Sequence, residues 1–192
     1  MAVFPVFLKL EGRRVLVVGG GPVAAGKLRA LLSAGARITV VAPDVVPEIE
    51  ALAREGAGLE IVRRGFVESD LDGVWYVVAA APPDVNRVVS RAAEARTLFV
   101  NAVDDMENAT AYLGAIVQRA GVTIALSTDG EAPALAGLMR EALELVLPDE
   151  LDQWMALSKD ERRKWLAARV PMEERRPLLL EALNKLYGLQ SA

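Results

Sequence analysis

The feature that most constrains this chain is a glycine triplet set between an apolar run and a helical pattern, Val15-Leu-Val-Val-Gly19-Gly20-Gly21-Pro22-Val23-Ala24. Arg14 to Val18 reads as a buried parallel strand, and Val23 to Ser33 carries a helical spacing that Gly35 closes as a residue just past a helix end. The triplet fits the form G-x-G-x-x-A. In that form the first glycine makes the tight turn, the second lets backbone approach a pyrophosphate, and the small third residue lets helix and strand pack closely. The helix N-terminus then offers free N–H groups to the phosphates. The same spacing also suits a tight turn that binds nothing, so its context in a strand–helix–strand unit gives it weight.

The rest of the first half repeats the alternation. Ile38–Val41, Leu59–Val62, Val74–Ala79 and Leu98–Asn101 read as further strands, and Pro47–Glu55 and Asp84–Ala95 as helices between them. Strands this uniformly apolar, alternating with helices, predict a parallel sheet covered on both faces. The pattern changes after residue 112. Tyr112–Arg119 and Val122–Leu126 read as two short strands about a turn at Ala120-Gly121, and a helix runs from about Ala134 to Leu147, where Pro148 stops it. Residues 149–192 are charge-rich and helical, with acids and bases in equal number, and Pro171 and Pro177 divide them. The expected fold is therefore α/β: a Rossmann-type parallel sheet over 1–112, a small α+β domain over 113–148 and a C-terminal helical segment over 149–192.

Composition narrows the chemistry. The 192 residues include no cysteine and no histidine. Thiolate nucleophiles, Ser-His-Asp hydrolysis and His-ligated zinc are excluded, so acid–base work falls to Asp, Glu, Lys or Tyr. No residue set suggests a resident metal. A net charge of −4 argues against nucleic acid as the main partner. The N-terminus lacks the pattern of a signal peptide and no apolar run is long enough for a membrane span, so the expected location is the cytoplasm.

Three further places attract attention. Asp44, two residues past the second strand, is a candidate for the ribose hydroxyls and equally for a helix cap. No arginine follows that strand to take a 2′-phosphate, which favours NAD over NADP. Asn101-Ala-Val-Asp104-Asp105 ends the fifth strand on the side where such sheets bind ligands, and with no histidine a carboxylate there is the natural acid–base group. Ser127-Thr-Asp-Gly-Glu-Ala-Pro133 joins a strand to a helix. It reads either as an anion-binding loop or as an ordinary capped connection with Pro133 near the first helical position.

Taken together, Phe4-Pro-Val-Phe-Leu-Lys-Leu-Glu-Gly12, Val15 to Lys27, Leu31 to Arg37, Val40-Val-Ala-Pro43, Asp70-Leu-Asp-Gly73, Asn101 to Asp105 and Ser127 through Leu135 resemble the precorrin-2 dehydrogenase and sirohydrochlorin ferrochelatase family, the N-terminal region of siroheme synthases. The resemblance covers about residues 4 to 148. It implies NAD-dependent oxidation of precorrin-2 to sirohydrochlorin, with insertion of ferrous iron in some members. It implies that Gly19, Gly20, Gly21, Pro22 and Val23 line the NAD diphosphate site, and that Pro43 and Asp44 lie near the adenosine ribose. Asn101 would lie near the nicotinamide, Asp104 would be the catalytic aspartate, and Ser127 and Thr128 would line the tetrapyrrole cleft. It also implies a homodimer formed through residues 113–148, with the C-terminal helices completing the cleft. The substrate-side stretches Met106 to Tyr112 and Ser127 to Pro133 depart from the family's usual pattern. An NAD-binding sensor or assembly module, or a dehydrogenase for another substrate, stays open on the residues alone.

Overall fold

The computed structural model describes residues 3–188 apart from 57, 104 and 106. The chain divides into two compact units, Met1–Leu113 and Gly114–Ala192. The first contains β1 (Arg14–Val18), α1 (Pro22–Ser33), β2 (Arg37–Val41), α2 (Pro47–Glu55), β3 (Leu59–Val62), β4 (Tyr76–Ala79), α3 (Pro83–Glu94) and β5 (Phe99–Ala102), with a single 3-10 turn at Glu68–Leu71 before β4. The strands form one parallel sheet in the order β3-β2-β1-β4-β5. The chain leaves β1 toward β2 on one side and returns to β4 on the other. The crevice outside the carboxyl ends of β1 and β4 is therefore the topological switch point of the sheet.

Alternation along the strands splits the core in two. Val15, Val17, Ile38, Val40, Tyr76 and Val78 face α1 and α2, where Leu28 and Ile49 are completely buried. Leu16, Val18, Val41, Val77, Ala79, Val100 and Ala102 face α3 through Val89 and Ala93. Burial on both faces is why these strands read as continuous apolar runs rather than alternating ones. One lateral row on the first face runs Ile61, Val40, Val17, Val78 and then Asn101, which puts a polar residue at the end of an otherwise aliphatic line.

The edge of the sheet beyond β5 is closed by the chain itself. The amides of Thr110 and Ala111 both donate to the Val100 carbonyl, at 2.9 and 3.0 Å. The Val100 amide donates to the Thr110 hydroxyl at 2.9 Å. At the opposite, N-terminal end of the strands, the Arg13 guanidinium lies 3.8 Å from the ring centroid of half-exposed Trp75. β4 starts one residue later, at Tyr76, so the expected Val74–Trp75 start of this strand belongs to the approach loop.

The second unit holds an antiparallel pair, β6 (Ala115–Arg119) and β7 (Val122–Leu126), followed by α4 (Pro133–Val146), α5 (Leu151–Ala167) and α6 (Met172–Leu186). β6 begins at Ala115 rather than Tyr112. The Arg119 side chain donates to the carbonyls of Leu147 and Pro148, which ties the hairpin to the end of α4. Trp154 of α5 donates its indole N–H to the Tyr187 hydroxyl at 2.7 Å. Pro171 caps α6, as its position suggests, but Pro177 does not divide the segment: it lies inside α6. A proline there removes one intrahelical hydrogen bond, to the Glu173 carbonyl. Both residues are exposed, so water takes up that carbonyl and the helix continues. Among the described residues no helix is long and apolar enough to cross a membrane.

Candidate functional site

The turn after β1 is built from backbone contacts that only glycine permits. Gly19 has φ +126°, and a methyl group there would run into the carbonyl of Ala80, just past β4. A methyl group at Gly20 would run into the carbonyl of Asp44, just past β2. The Gly19 amide donates to the Val41 carbonyl at 3.0 Å, and the Gly20 carbonyl accepts from the Val46 amide at 2.8 Å. These two glycines lock the tips of β1, β2 and β4 together.

Gly21 differs. Its φ is −85°, and nothing lies within 4 Å of where its methyl group would stand. It is the N-cap of α1, with Pro22 in the first turn, no side chain capping the end and no acidic residue in that turn. The Ala25 amide bonds the Gly21 carbonyl at 3.1 Å, whereas the amides of Gly21, Val23 and Ala24 find no acceptor among the described residues. Ala24 is completely buried, so its amide is shielded from bulk water. An uncapped, uncountered helix N-terminus beside an open glycine is a cradle for an anion, and the donor set fits a dinucleotide's diphosphate. NAD bound there would lie across the switch point.

The remaining cofactor candidates surround this cradle to different degrees. Pro43 and Asp44 are exposed on the loop after β2. Asp44 does not cap α2; Val46 occupies that position, which leaves the Asp44 carboxylate unspent on the helix. Asn101 is only 7% exposed. Its Nδ2 donates to the Ala111 carbonyl at 3.1 Å, and this fixes the amide plane. Its Oδ1 is buried with no hydrogen-bond partner among the described residues. A buried acceptor left open in this way costs stability unless something fills it. Asn86, buried at the start of α3, accepts the Ala81 amide at 2.9 Å and so holds the backbone that abuts Gly19.

Of the acidic pair past β5, Asp104 lies outside the described residues. The Asp105 carboxylate is engaged locally: it accepts from the Asn108 side-chain amide at 2.9 and 2.8 Å and from the Asn108 backbone at 3.2 Å. Tyr76 is no base, because burial pushes its hydroxyl up to about 12. It also starts β4, at the end of the sheet away from the glycine turn.

Ser127 and Thr128 belong to the second unit. The Ser127 hydroxyl accepts from the Asp129 amide at 3.1 Å and the Thr128 hydroxyl from the Ala132 amide at 3.3 Å. Pro133 opens α4 behind Ala132, whose side chain makes no cap, so these bonds order the loop itself, and each hydroxyl still has a hydrogen to donate. Among the described residues no three carboxylates gather as a metal site would require.

Two residues escaped the sequence reading. Arg63 and Arg64 follow β3, and the parallel pairing Val41↔Val62 with the Ala42 amide on the Val62 carbonyl at 3.2 Å brings them alongside the β2 tip. Arg64 is held by Asp70 through two hydrogen bonds of 2.8 and 2.5 Å. Arg63 donates to Glu50 of α2 at 2.6 Å.

A five-stranded parallel sheet with a glycine turn at its switch point defines a dinucleotide-binding protein, and residues 6–115 match the NAD(P)-binding family model NAD_binding_7. Over 93% of its length the chain superimposes on 88% of the solved structure of SirC, a precorrin-2 dehydrogenase, with a TM-score of 0.74 and 30% identity. It is 44% identical over 177 residues to the siroheme synthase of Pseudomonas entomophila (strain L48), covering 92% of this chain and 38% of that protein. It is 45% identical over 150 residues to the siroheme synthase of Citrobacter koseri, covering 78% of this chain and 33% of that protein. The chain thus spans only about a third of the length of these curated relatives. It belongs to the precorrin-2 dehydrogenase family.

Proposed function

We propose that this chain oxidises precorrin-2 to sirohydrochlorin, with NAD as acceptor, as a step in siroheme biosynthesis. The observation that carries the proposal is the open cradle at Gly21, with its free amides, in a chain that shares both fold and sequence with a precorrin-2 dehydrogenase. NAD, when bound, supplies the two-electron acceptor.

The chain's own residues bind and orient. Gly19 and Gly20 fix the turn, and Gly21, Pro22 and Val23 present the N-terminal end of α1 to the diphosphate. Pro43 and Asp44 take the adenosine ribose. Asn101 offers its open Oδ1 to the nicotinamide end. The resemblance assigns Asp104 the proton released as the ring loses its hydrogen, and with no histidine in the chain a carboxylate is the chemically reasonable carrier. Ser127 and Thr128 donate their remaining hydroxyl hydrogens to the tetrapyrrole's carboxylates. We extend the reading to ferrous iron as a second substrate, held by the macrocycle's own nitrogens, since the chain has neither cysteine nor histidine to hold it. The cytoplasm, which holds a pool of nicotinamide coenzyme, is the location this reading expects.

Residues 113–148 are read as a dimerisation domain and 149–192 as a separate helical part. Support comes from α4, which buries only Ala136 while Leu145 and Val146 stand 87% and 77% exposed. An apolar helix face this open calls for a partner, and a second copy of the chain supplies it.

The test is anaerobic incubation with precorrin-2 and NAD, followed by absorption. The sirohydrochlorin spectrum should grow in step with NADH; a repeat with ferrous iron tests chelation. NADH binding in calorimetry without any sirohydrochlorin formation would overturn the substrate assignment and leave a non-catalytic NAD-binding role.

A further inference from the structure

The arginines at the β3 tip bear on which coenzyme the site accepts. This inference rests on the NAD reading above. In dinucleotide-binding sheets the adenosine ribose sits at the tip of the second strand, where an acid meets the free 2′-hydroxyl and an arginine accommodates a 2′-phosphate. Here no arginine follows β2 itself. The β-ladder instead brings Arg63 to that tip from the neighbouring strand, one residue past the Val41↔Val62 pair. α2, on the same face of the sheet, is anchored to the glycine turn by the Val46 amide on the Gly20 carbonyl.

Neither guanidinium at this tip is uncommitted. Arg64 is spanned by the Asp70 carboxylate, which also accepts the Val67 amide at 2.9 Å and is only 9% exposed. Arg63 is half exposed and bonds Glu50 at 2.6 Å. Glu50 in turn reaches Arg54 at 3.6 Å. An exposed pair of this kind contributes little to stability, so its place beside the β2 tip matters more for what can bind there than for folding.

We infer that Glu50 is a coenzyme-specificity residue: by occupying Arg63 it withholds the cation that a 2′-phosphate would need, and so makes the site select NAD over NADP. A dianionic phosphate at the β2 tip meets the Glu50 and Asp44 carboxylates and must displace Glu50 from Arg63 to gain a cation. The 2′-hydroxyl of NAD meets no such conflict.

Calorimetry with 2′,5′-ADP and with 5′-ADP tests this without turnover. Wild type should bind 5′-ADP at least tenfold more tightly than 2′,5′-ADP. Glu50→Gln should tighten 2′,5′-ADP at least tenfold, and Glu50→Gln with Arg63→Gln should lose that gain. Unchanged 2′,5′-ADP affinity in Glu50→Gln, or a gain that survives loss of Arg63, overturns the role of Glu50 while leaving the NAD site standing. If wild type binds neither nucleotide, the coenzyme reading falls and this inference falls with it.

Discussion

The carbonyl of Asp44 occupies the space a side chain at Gly20 would need, so the turn after β1 and the loop after β2 are packed backbone to backbone. One residue along, Gly21 faces open space. Neighbouring glycines in one motif thus answer to different demands, Gly20 to packing within the chain and Gly21 to whatever enters the crevice.

Substitution separates the two. Gly20→Ala forces the loop apart and should cost about 1–3 kcal/mol of stability, as overpacking does, together with coenzyme binding. Gly21→Ala has room and an ordinary φ, and the cost of alanine as a poorer N-cap should stay within about 1 kcal/mol. Its NADH affinity should still fall at least tenfold, or about 1.4 kcal/mol. Thermal melts beside NADH titrations check both, and a Gly21→Ala protein with unimpaired affinity would remove the diphosphate from this turn.

Asn101 offers a similar contrast. Its Nδ2 bond to Ala111 stabilises, while the buried open Oδ1 costs. Asn101→Leu keeps the shape and removes both, so the two effects should nearly cancel, to within about 1 kcal/mol. If the open acceptor is there for the coenzyme, NADH affinity or turnover should drop at least tenfold in the same variant. A large loss of stability with normal turnover would make Asn101 a structural residue.

The Asp70–Arg64 pair gives stability a pH signature. The hydrogen bonds from Arg64, helped by the Val67 amide, hold the Asp70 carboxyl below its ordinary value of 3.8. A carboxyl depressed in the folded state contributes stability that is present above its unfolded pKa and lost as pH falls through the folded one. Asp70→Asn should therefore melt at a lower temperature than wild type at pH 7, and the gap should close below about pH 4. A gap that stays constant down to pH 2 would mean that the carboxylate charge does not matter.

Asp104→Ala should remove most sirohydrochlorin formation and leave NADH affinity near wild type, since the proposed task of that residue is the proton and not the coenzyme. Wild-type turnover in the variant would reassign the proton.

Leu145→Glu places a charge on the open face of α4. Sedimentation should shift from a dimer to a monomer species, with the fold retained by circular dichroism. A monomeric wild type would refute the dimer outright.

The sheet is legible in the sequence because its strands are buried on both faces and its turns are marked by glycine and proline. Leu59–Val62 and Pro47–Glu55 were expected with the same bounds the structure has. The glycine turn was readable because its function needs particular residues in consecutive positions. The arginines at the β2 tip were not, because they arrive through a ladder between strands some twenty residues apart in sequence and not through any local pattern. Pro177 misled for the opposite reason: proline strongly marks helix ends, yet one exposed carbonyl left to water does not end a helix. The strand expected from Tyr112 begins later because the residues just before it, Thr110 and Ala111, are drawn onto β5.

That last detail has a consequence for the chain in concentrated solution. A bare outer strand is a template on which another molecule can continue the sheet, and proteins commonly blunt such strands with charge or proline. Here the chain supplies its own surrogate neighbour at β5. The amides of Thr110 and Ala111 occupy the Val100 carbonyl and a hydroxyl occupies the Val100 amide, so both polar groups at that position are already taken. Thr110→Val would uncover the Val100 amide to strangers while leaving its carbonyl paired, and loss of colloidal stability, rather than of catalysis, is the symptom it should produce.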